Sequence, residues 1–166
     1  MPIAKVPKLV ARVKKNRDYL FLGESIPPAS RKIIEIEGAK LYTSSPLSIP
    51  IEVINGYYEG PVLMVNAAIH GDELNGIEII RRLLSQPNFK LIRGTLIAVS
   101  MVNVYGVVNQ SRYMPDRRDL NRCFPGSAKG SLAGRVANIF LKEILWGITF
   151  DFLYEHYLSS AFFFPY

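Results

Sequence analysis

An apolar run meets a polar tetrapeptide in the segment Val62-Leu-Met-Val-Asn-Ala-Ala-Ile-His70-Gly-Asp-Glu73. Residues 62–69 predict a β-strand of the kind that is buried on both faces of a parallel sheet, because polar residues do not alternate along it. Gly71 predicts a reversal of the chain. Beyond it, apolar residues at helical spacing predict a helix over about 73–86, with Asp72 as its N-cap.

His70 is therefore expected at the carboxyl end of a strand, with Glu73 less than one helical turn away. Both side chains would reach the crevice at the sheet edge, where open α/β sheets bind ligands. Neutral imidazole and carboxylate groups are both zinc ligands, so we interpret His70 and Glu73 as candidate ligands of a divalent metal. The alternative is that His70 is a hydrogen-bonded polar residue at the rim of the sheet.

The chain before this segment predicts an irregular basic lead-in over residues 1–30 and then two short strands. Residues 33–37 alternate partly between apolar and polar, and residues 49–54 form a second short strand. Asn55-Gly56 is a strong turn signal. We therefore expect residues 49–54 to pair antiparallel with residues 62–69.

A second apolar run, residues 95–103, follows the predicted helix. A strand, a helix and a strand in this order predict a crossover with parallel strands, so Asn103 and His70 are expected at the same sheet edge. A further helix is predicted over residues 131–145. The fold class that follows is α/β, with a mixed, largely parallel sheet and flanking helices.

A long polar loop follows Asn103 and contains Arg112-Tyr-Met-Pro-Asp-Arg-Arg-Asp119-Leu-Asn121-Arg122-Cys-Phe-Pro-Gly126. Loops of this length in compact domains are usually functional or disordered. Together with His70-Gly-Asp-Glu73, the loop resembles the succinylglutamate desuccinylase/aspartoacylase family of the zinc carboxypeptidase-like (phosphorylase/hydrolase-like) superfamily, over about residues 30–145. The resemblance implies that His70 and Glu73 are two of three zinc ligands. It further implies that Arg112 polarises the scissile carbonyl, and that Asn121 and Arg122 bind the carboxylate of the substrate.

Other interpretations of the loop remain open. Arg112 and Arg122 could form surface ion pairs with Asp116 or Asp119. Asp119 is expected to be structural and to orient the loop around Arg122. Cys123 is expected to be a small loop residue, because no histidine lies near it in sequence. Arg117 and Arg118 fit either attraction of substrate or simple solvation.

The composition and net charge limit which partners and metal sites the protein can have. The chain has 166 residues, a formal net charge of +6 and one cysteine, which excludes an intramolecular disulfide and a four-cysteine zinc site. Basic residues between Lys5 and Arg17 would allow a nucleic-acid partner, but a solvated arm explains them better. No segment reaches the length of a transmembrane helix. We predict a soluble cytoplasmic protein with a small anionic substrate, and neither a nucleic-acid nor a membrane partner.

The last segment, residues 146–166, differs from the α/β domain predicted for 31–145. It holds nearly half of the aromatic residues of the chain and neither lysine nor arginine. We expect an atypical tail, as in a truncated or frame-shifted product. His156 is a tentative third metal ligand if residues 149–154 form the next strand, and the alternative is a chance histidine. Glu155 is a candidate base through proximity to His156 alone.

The sequence therefore predicts a zinc-dependent hydrolase that cleaves the amide bond of an N-acyl amino acid, such as an N-succinyl or N-acetyl amino acid. The zinc-bound water would be acidified and a carboxylate would handle the protons. The alternative is a truncated, non-catalytic fragment of such an enzyme with an incomplete metal site.

Overall fold

The computed structural model describes residues 14–38 and 47–148. Within them, the strands are β1 (Tyr19–Phe21), β2 (Glu24–Ile26), β3 (Ser30–Glu37), β4 (Ser48–Asn55), β5 (Tyr58–Asn66) and β6 (Arg93–Val99). The helices are α1 (Leu74–Leu84), α2 (Val104–Val108) and α3 (Leu132–Ile139). A single 3₁₀ turn covers Leu120–Arg122, and α3 continues into a π-helical segment at Phe140–Leu145.

The main sheet has four strands in the order β3-β4-β6-β5. β3 pairs antiparallel with β4, and β4 pairs antiparallel with β6. β5 and β6 are parallel, as the strand-helix-strand pattern predicted. The prediction of an α/β fold with a mixed sheet is confirmed, but the sheet is mostly antiparallel and the prediction of a largely parallel sheet is wrong. One crossover through α1 makes one parallel pair, whereas β3 and β4 join the sheet as an antiparallel ribbon.

The predicted pairing of residues 49–54 with 62–69 is also wrong, because β6 lies between β4 and β5. After β4 the chain passes the start of β6, where the Gly56 N–H donates to the Gly94 carbonyl at 2.8 Å. Gly94 has φ +72°, and a Cβ there would lie 2.1 Å from the Pro61 carbonyl oxygen. Glycine thus gives the room that the chain needs to cross the amino end of β6 and form β5 on its far side.

β6 is the buried centre of the sheet. Apart from Arg93, all its residues are buried, with Ile97 and Val99 in the larger core and Leu96 and Ala98 in the smaller core beneath α1. β5 is an edge strand, and Leu63 is 59% exposed, so the expectation that β5 is buried on both faces is wrong for the described residues. The continuous apolar pattern is shared by both strands and does not show which one is central.

The predicted helices are present, with different ends. α1 begins at Leu74 and its N-cap is Glu73, which makes no side-chain capping bond, so the prediction of Asp72 as N-cap is wrong. α3 has Ser131 as its N-cap, and the Ser131 hydroxyl accepts a hydrogen bond from the Gly134 N–H. The buried stripe of α3 and its π-helical continuation runs through Leu132, Val136, Phe140 and Ile144. It matches the 3.6-residue pattern and continues into the π-helical segment.

The described part of the lead-in contains regular structure. β1 and β2 form a hairpin within residues 19–26, which the sequence did not predict. Phe21 and Ile26 are buried in the larger core. The base of the hairpin is held by Asn55, whose side-chain amide donates to the carbonyls of Arg17 and Ile26 at 2.8 Å each.

Candidate functional site

The segment that leads into His70 is fixed to the carboxyl end of β6. The Ala67 N–H donates to the Val99 carbonyl at 3.0 Å, and the Ala68 carbonyl accepts from the Asn103 N–H at 2.9 Å. Ala68 is buried and has φ +52°, a left-handed conformation that is unfavourable for a residue with a Cβ. The chain is thereby turned so that His70, which is only 5% exposed, lies at the shared edge of β5 and β6.

Gly71 makes the bend possible because another backbone segment lies directly against it. A Cβ at Gly71 would lie 1.9 Å from the Gly106 carbonyl carbon and 2.4 Å from the Ser111 carbonyl oxygen. Gly106 is in α2, which begins just after Asn103, and the Asn103 side chain accepts from the Gly106 N–H at 2.8 Å. The turn after β5 and the turn after β6 are therefore packed backbone to backbone.

Glu73 lies against one side of the His70 ring. Its Oε1 is 2.6 Å from His70 Nδ1, and its Oε2 accepts from the His70 backbone N–H at 3.3 Å. Partial burial tends to raise the pKa of this carboxyl group, but the hydrogen bonds from His70 and the charge of Arg112 lower the pKa below its usual value. Glu73 is therefore an ionised carboxylate beside the His70 ring at neutral pH.

Asp119 lies against the other side of the ring. Its Oδ1 is 3.0 Å from His70 Nε2 and also accepts from the Asn121 N–H at 3.0 Å. Burial tends to raise its pKa, but the contact with His70, the Asn121 N–H and the charge of Arg112 lower the pKa below its usual value. The sequence predicted that Asp119 orients its own loop and left open an ion pair with Arg112 or Arg122, but the contact with His70 across 49 residues was missed. The motif alone gave no signal for it.

The two arginines implied by the resemblance lie around the same carboxylate. Arg112 Nη2 is 3.4 Å from Asp119 Oδ2, and Arg122 Nε is 3.8 Å from the same oxygen. The Arg122 side chain is 84% exposed and the Asn121 residue is exposed as well. Both guanidinium groups therefore border the His70 edge of the sheet, with most of the Arg122 side chain open to solvent and to a ligand.

The loop between these residues is anchored to α3. Asp116 Oδ2 accepts from the Ala133 N–H at 2.9 Å, and the Ser127 N–H donates to the Gly134 carbonyl at 2.9 Å. The Cys123 thiol donates to the Asp119 carbonyl at 3.2 Å, and burial raises the pKa of this thiol. A raised pKa disfavours the thiolate, which is the nucleophilic form. These contacts support the interpretation of Cys123 as a loop residue.

The donor atoms fit part of a zinc site. His70 and Glu73 offer an imidazole nitrogen and a carboxylate oxygen on one side of the ring. Asp119 contacts the opposite ring nitrogen, the arrangement that usually orients a zinc-bound histidine. A catalytic zinc site takes three protein ligands. Within residues 14–38 and 47–148, no group of three His, Cys, Asp or Glu side chains is arranged to hold a metal ion. His156 and Glu155 lie outside the described residues.

Residues 59–152, more than half of the chain, match the succinylglutamate desuccinylase/aspartoacylase catalytic domain. The chain belongs to this family. The matched region contains every candidate site residue between His70 and Arg122. It ends at residue 152, so it includes the first part of the aromatic tail and stops before His156.

Individual members of the succinylglutamate desuccinylase/aspartoacylase family resemble the chain over part of their length. N-alpha-acetyl-L-2,4-diaminobutyric acid deacetylase from Halomonas elongata is 33% identical over 98 residues, which is 58% of this chain and 28% of that protein. A succinylglutamate desuccinylase/aspartoacylase from Rhodobacter sphaeroides matches with a TM-score of 0.64 at 26% identity, covering 81% of this chain and 41% of that chain.

Two further solved structures are similar. An aspartoacylase family protein from Mesorhizobium loti has a TM-score of 0.63 at 30% identity, covering 73% of this chain and 38% of that chain. The ectoine utilization protein EutE from Ruegeria pomeroyi has a TM-score of 0.58 at 30% identity, covering 69% of this chain and 35% of that chain. The family member described here thus spans between about a quarter and two fifths of the length of these relatives.

The sequence predicted that no segment is long enough to form a transmembrane helix. No helix in the described part of the chain has both the length and the apolar character needed to cross a bilayer.

Proposed function

We propose that this chain carries the metal-binding and substrate-binding edge of a zinc-dependent deacylase that cleaves the amide bond of an N-acyl amino acid. One observation supports this above all: the His70 ring is held between Glu73 at 2.6 Å and Asp119 at 3.0 Å, beside Arg112. Family membership adds a coarser argument, because the relatives include an N-acetyl-diaminobutyric acid deacetylase and a desuccinylase.

His70 Nδ1 and Glu73 Oε1 would be two of the metal ligands. The family is typically zinc-dependent. When bound, zinc would supply a water that is acidified to near-neutral pKa. Asp119 would accept a hydrogen bond from His70 Nε2, which leaves the Nδ1 lone pair directed toward Glu73 and the metal. We propose His156 as the third ligand.

The arginines would bind and polarise the substrate. Arg112, 3.4 Å from Asp119, is close enough to the His70 edge to donate to the carbonyl oxygen of a bound amide as negative charge develops on it. Arg122 presents a largely exposed guanidinium group, which suits bidentate binding of a carboxylate. Asn121 would add an amide donor to the same carboxylate. The expected substrate is therefore a small anionic N-acyl amino acid.

The matching experiment combines metal analysis with an assay of acid release from N-acetyl and N-succinyl amino acids. The full chain is expected to bind zinc and release acetate or succinate, and H70A is expected to lose both. Arg112→Ala is expected to keep zinc but to lower kcat about 100-fold or more, as removal of an oxyanion donor does. Zinc-independent release of acid, or equal activity of H70A, would refute the proposal.

A second candidate function has its own supporting observation. The described residues bring only His70 and Glu73 together as ligands, and the chain spans 28% of its curated relative. A non-catalytic family fragment with an incomplete metal site would bind zinc weakly and release no acid from any N-acyl amino acid. The same two measurements separate it from the hydrolase.

A further inference from the structure

The chain contains the dipeptide Asn-Gly twice, at Asn55-Gly56 and at Asn75-Gly76. An asparagine before a glycine can react with its own backbone, because glycine has no side chain to shield its amide nitrogen. The glycine nitrogen attacks the side-chain carbonyl carbon of the asparagine, a C–N bond forms, and ammonia leaves with the proton of the glycine N–H. Water then opens the resulting succinimide to aspartate or isoaspartate. The fold places the two pairs in opposite environments.

The Asn55-Gly56 pair is buried and hydrogen-bonded at each of its polar groups. Asn55 is 1% exposed. Its Oδ1 accepts from the Asn16 amide at 2.7 Å and from the Thr95 hydroxyl at 3.3 Å, and its side-chain nitrogen donates to two backbone carbonyls. The Gly56 N–H, which carries the nitrogen that would attack, donates to the Gly94 carbonyl at 2.8 Å. Attack on Asn55 would therefore have to break several hydrogen bonds inside the fold.

The Asn75-Gly76 pair lies in the first turn of α1, and Asn75 is exposed to solvent. Gly76 is the third residue of the helix, and the N–H groups of a first turn have no partner within the helix unless a cap supplies one. The N-cap residue, Glu73, makes no side-chain capping bond. The first turn therefore opens at a small cost in free energy. Opening lets the Asn75 side chain and the Gly76 nitrogen reach the geometry of attack.

The packing of α1 on the end of β5 requires the glycine that makes this pair reactive. A Cβ at Gly76 would lie 2.8 Å from the Ala67 Cβ, which is closer than two such atoms approach each other. Ala67 follows β5 and packs against the smaller core beneath α1. The reactive dipeptide is thus a consequence of how closely the first turn of the helix approaches the strand.

We infer that Asn75 is a site of spontaneous deamidation in the folded chain and that Asn55 is protected. The products carry a new carboxylate two residues after Glu73, in the first turn of α1. An isoaspartate also lengthens the main chain by one carbon just before Gly76, which has no free space on the side of Ala67. The start of α1 would then pack less closely on the strand. The reaction consumes water alone and needs neither zinc nor substrate.

Peptide mapping by mass spectrometry tests the inference on the full, metal-free chain. The folded chain is incubated at mildly alkaline pH in water enriched in heavy oxygen, and the label is measured in the peptides that contain each pair. Incorporation at Asn75 is expected to be about tenfold faster or more than at Asn55, because only the first turn of α1 opens readily. In urea the two rates are expected to converge, because both pairs then lie in an unfolded chain.

Two variants test the assignment to this pair. N75Q is expected to remove the label at this position and to leave Asn55 unchanged, because glutamine cyclises far more slowly. A67G/G76A moves one methyl group from the strand end to the helix, so it keeps the packing but shields the attacking nitrogen. It is expected to slow the reaction of Asn75 about tenfold or more.

Equal rates at Asn55 and Asn75 in the folded chain would overturn the inference. So would the absence of label at Asn75 in the folded chain under conditions in which the chain in urea is labelled at both pairs. A rate at Asn75 that stays equally far above that of Asn55 in urea would also overturn it, because the difference would then come from the neighbouring sequence and not from the fold.

Discussion

Replacing Asp119 with asparagine should weaken zinc binding without unfolding the loop. Asparagine keeps an oxygen that can accept from the Asn121 N–H and from His70 Nε2, both now 3.0 Å from Asp119 Oδ1. It removes the negative charge that polarises the His70 ring and that Arg112 contacts at 3.4 Å. Loss of a carboxylate partner from a metal-bound histidine typically lowers metal affinity about 10- to 100-fold.

The expected loss of zinc affinity for D119N is near the lower end of this range, about tenfold or about 1.4 kcal/mol. The hydrogen bond to His70 survives in this variant, and only the negative charge of its acceptor is lost. D119A removes the acceptor as well and should approach 100-fold. Competition with a chromophoric zinc chelator at fixed pH measures both values in the full chain.

The matched control for this prediction is Asp72→Asn, which removes the same charge from the neighbouring turn. Asp72 is exposed, and its carbonyl, not its side chain, accepts from the Leu74 N–H. D72N should bind zinc as the unchanged chain does. If D119N and D119A bound zinc as tightly as D72N, Asp119 would not orient the metal ligand, and the interpretation of the His70–Asp119 contact would be wrong.

Three further changes follow from the structure. G71A should lower the free energy of unfolding in urea by about 2 kcal/mol or more, because its Cβ would overlap the Gly106 backbone. G134A is the control and should lower it by less than about 1 kcal/mol, because the atom nearest to its Cβ is 3.4 Å away. R112K should retain zinc but lower kcat about tenfold or more in the acid-release assay, because lysine cannot reproduce the planar guanidinium donor; unchanged kcat would refute the role. The pKa of Glu78 should be about 2 by NMR titration, because two arginines of α1 bind its carboxylate. The stability that this carboxylate adds above pH 4.5 should be lost as the pH falls toward 2. The difference in unfolding free energy between the unchanged chain and E78Q should therefore shrink over that range.

The local parts of the fold were predictable because they depend on short-range pattern. The apolar run 62–69, the bend at Gly71 and the helix after it follow from periodicity and turn chemistry, and the parallel pairing of β5 with β6 follows from the crossover rule. The position of β6 between β4 and β5 was not predictable in this way. It depends on a backbone crossing at Gly94 that involves residues far apart in sequence.

The candidate site was likewise predictable where it depends on nearby residues, and not where it depends on residues far apart in sequence. His70 and Glu73 are three residues apart, so the sequence placed them on one bend, and the structure has them in contact at 2.6 Å. The roles assigned to Arg112, Asn121 and Arg122 came from the resemblance and stay predictions. The contact of Asp119 with His70 depends on how the whole arginine loop is anchored to α3, which no local pattern encodes.

Metal analysis of the purified full chain tests most directly whether His70 and Glu73 form a zinc site. After dialysis against metal-free buffer, the unchanged chain and D72N should each retain one zinc ion, whereas H70A and E73A should retain none. Retention of zinc by H70A and E73A at the level of the unchanged chain, or failure of the unchanged chain to take up zinc, would contradict the proposed site.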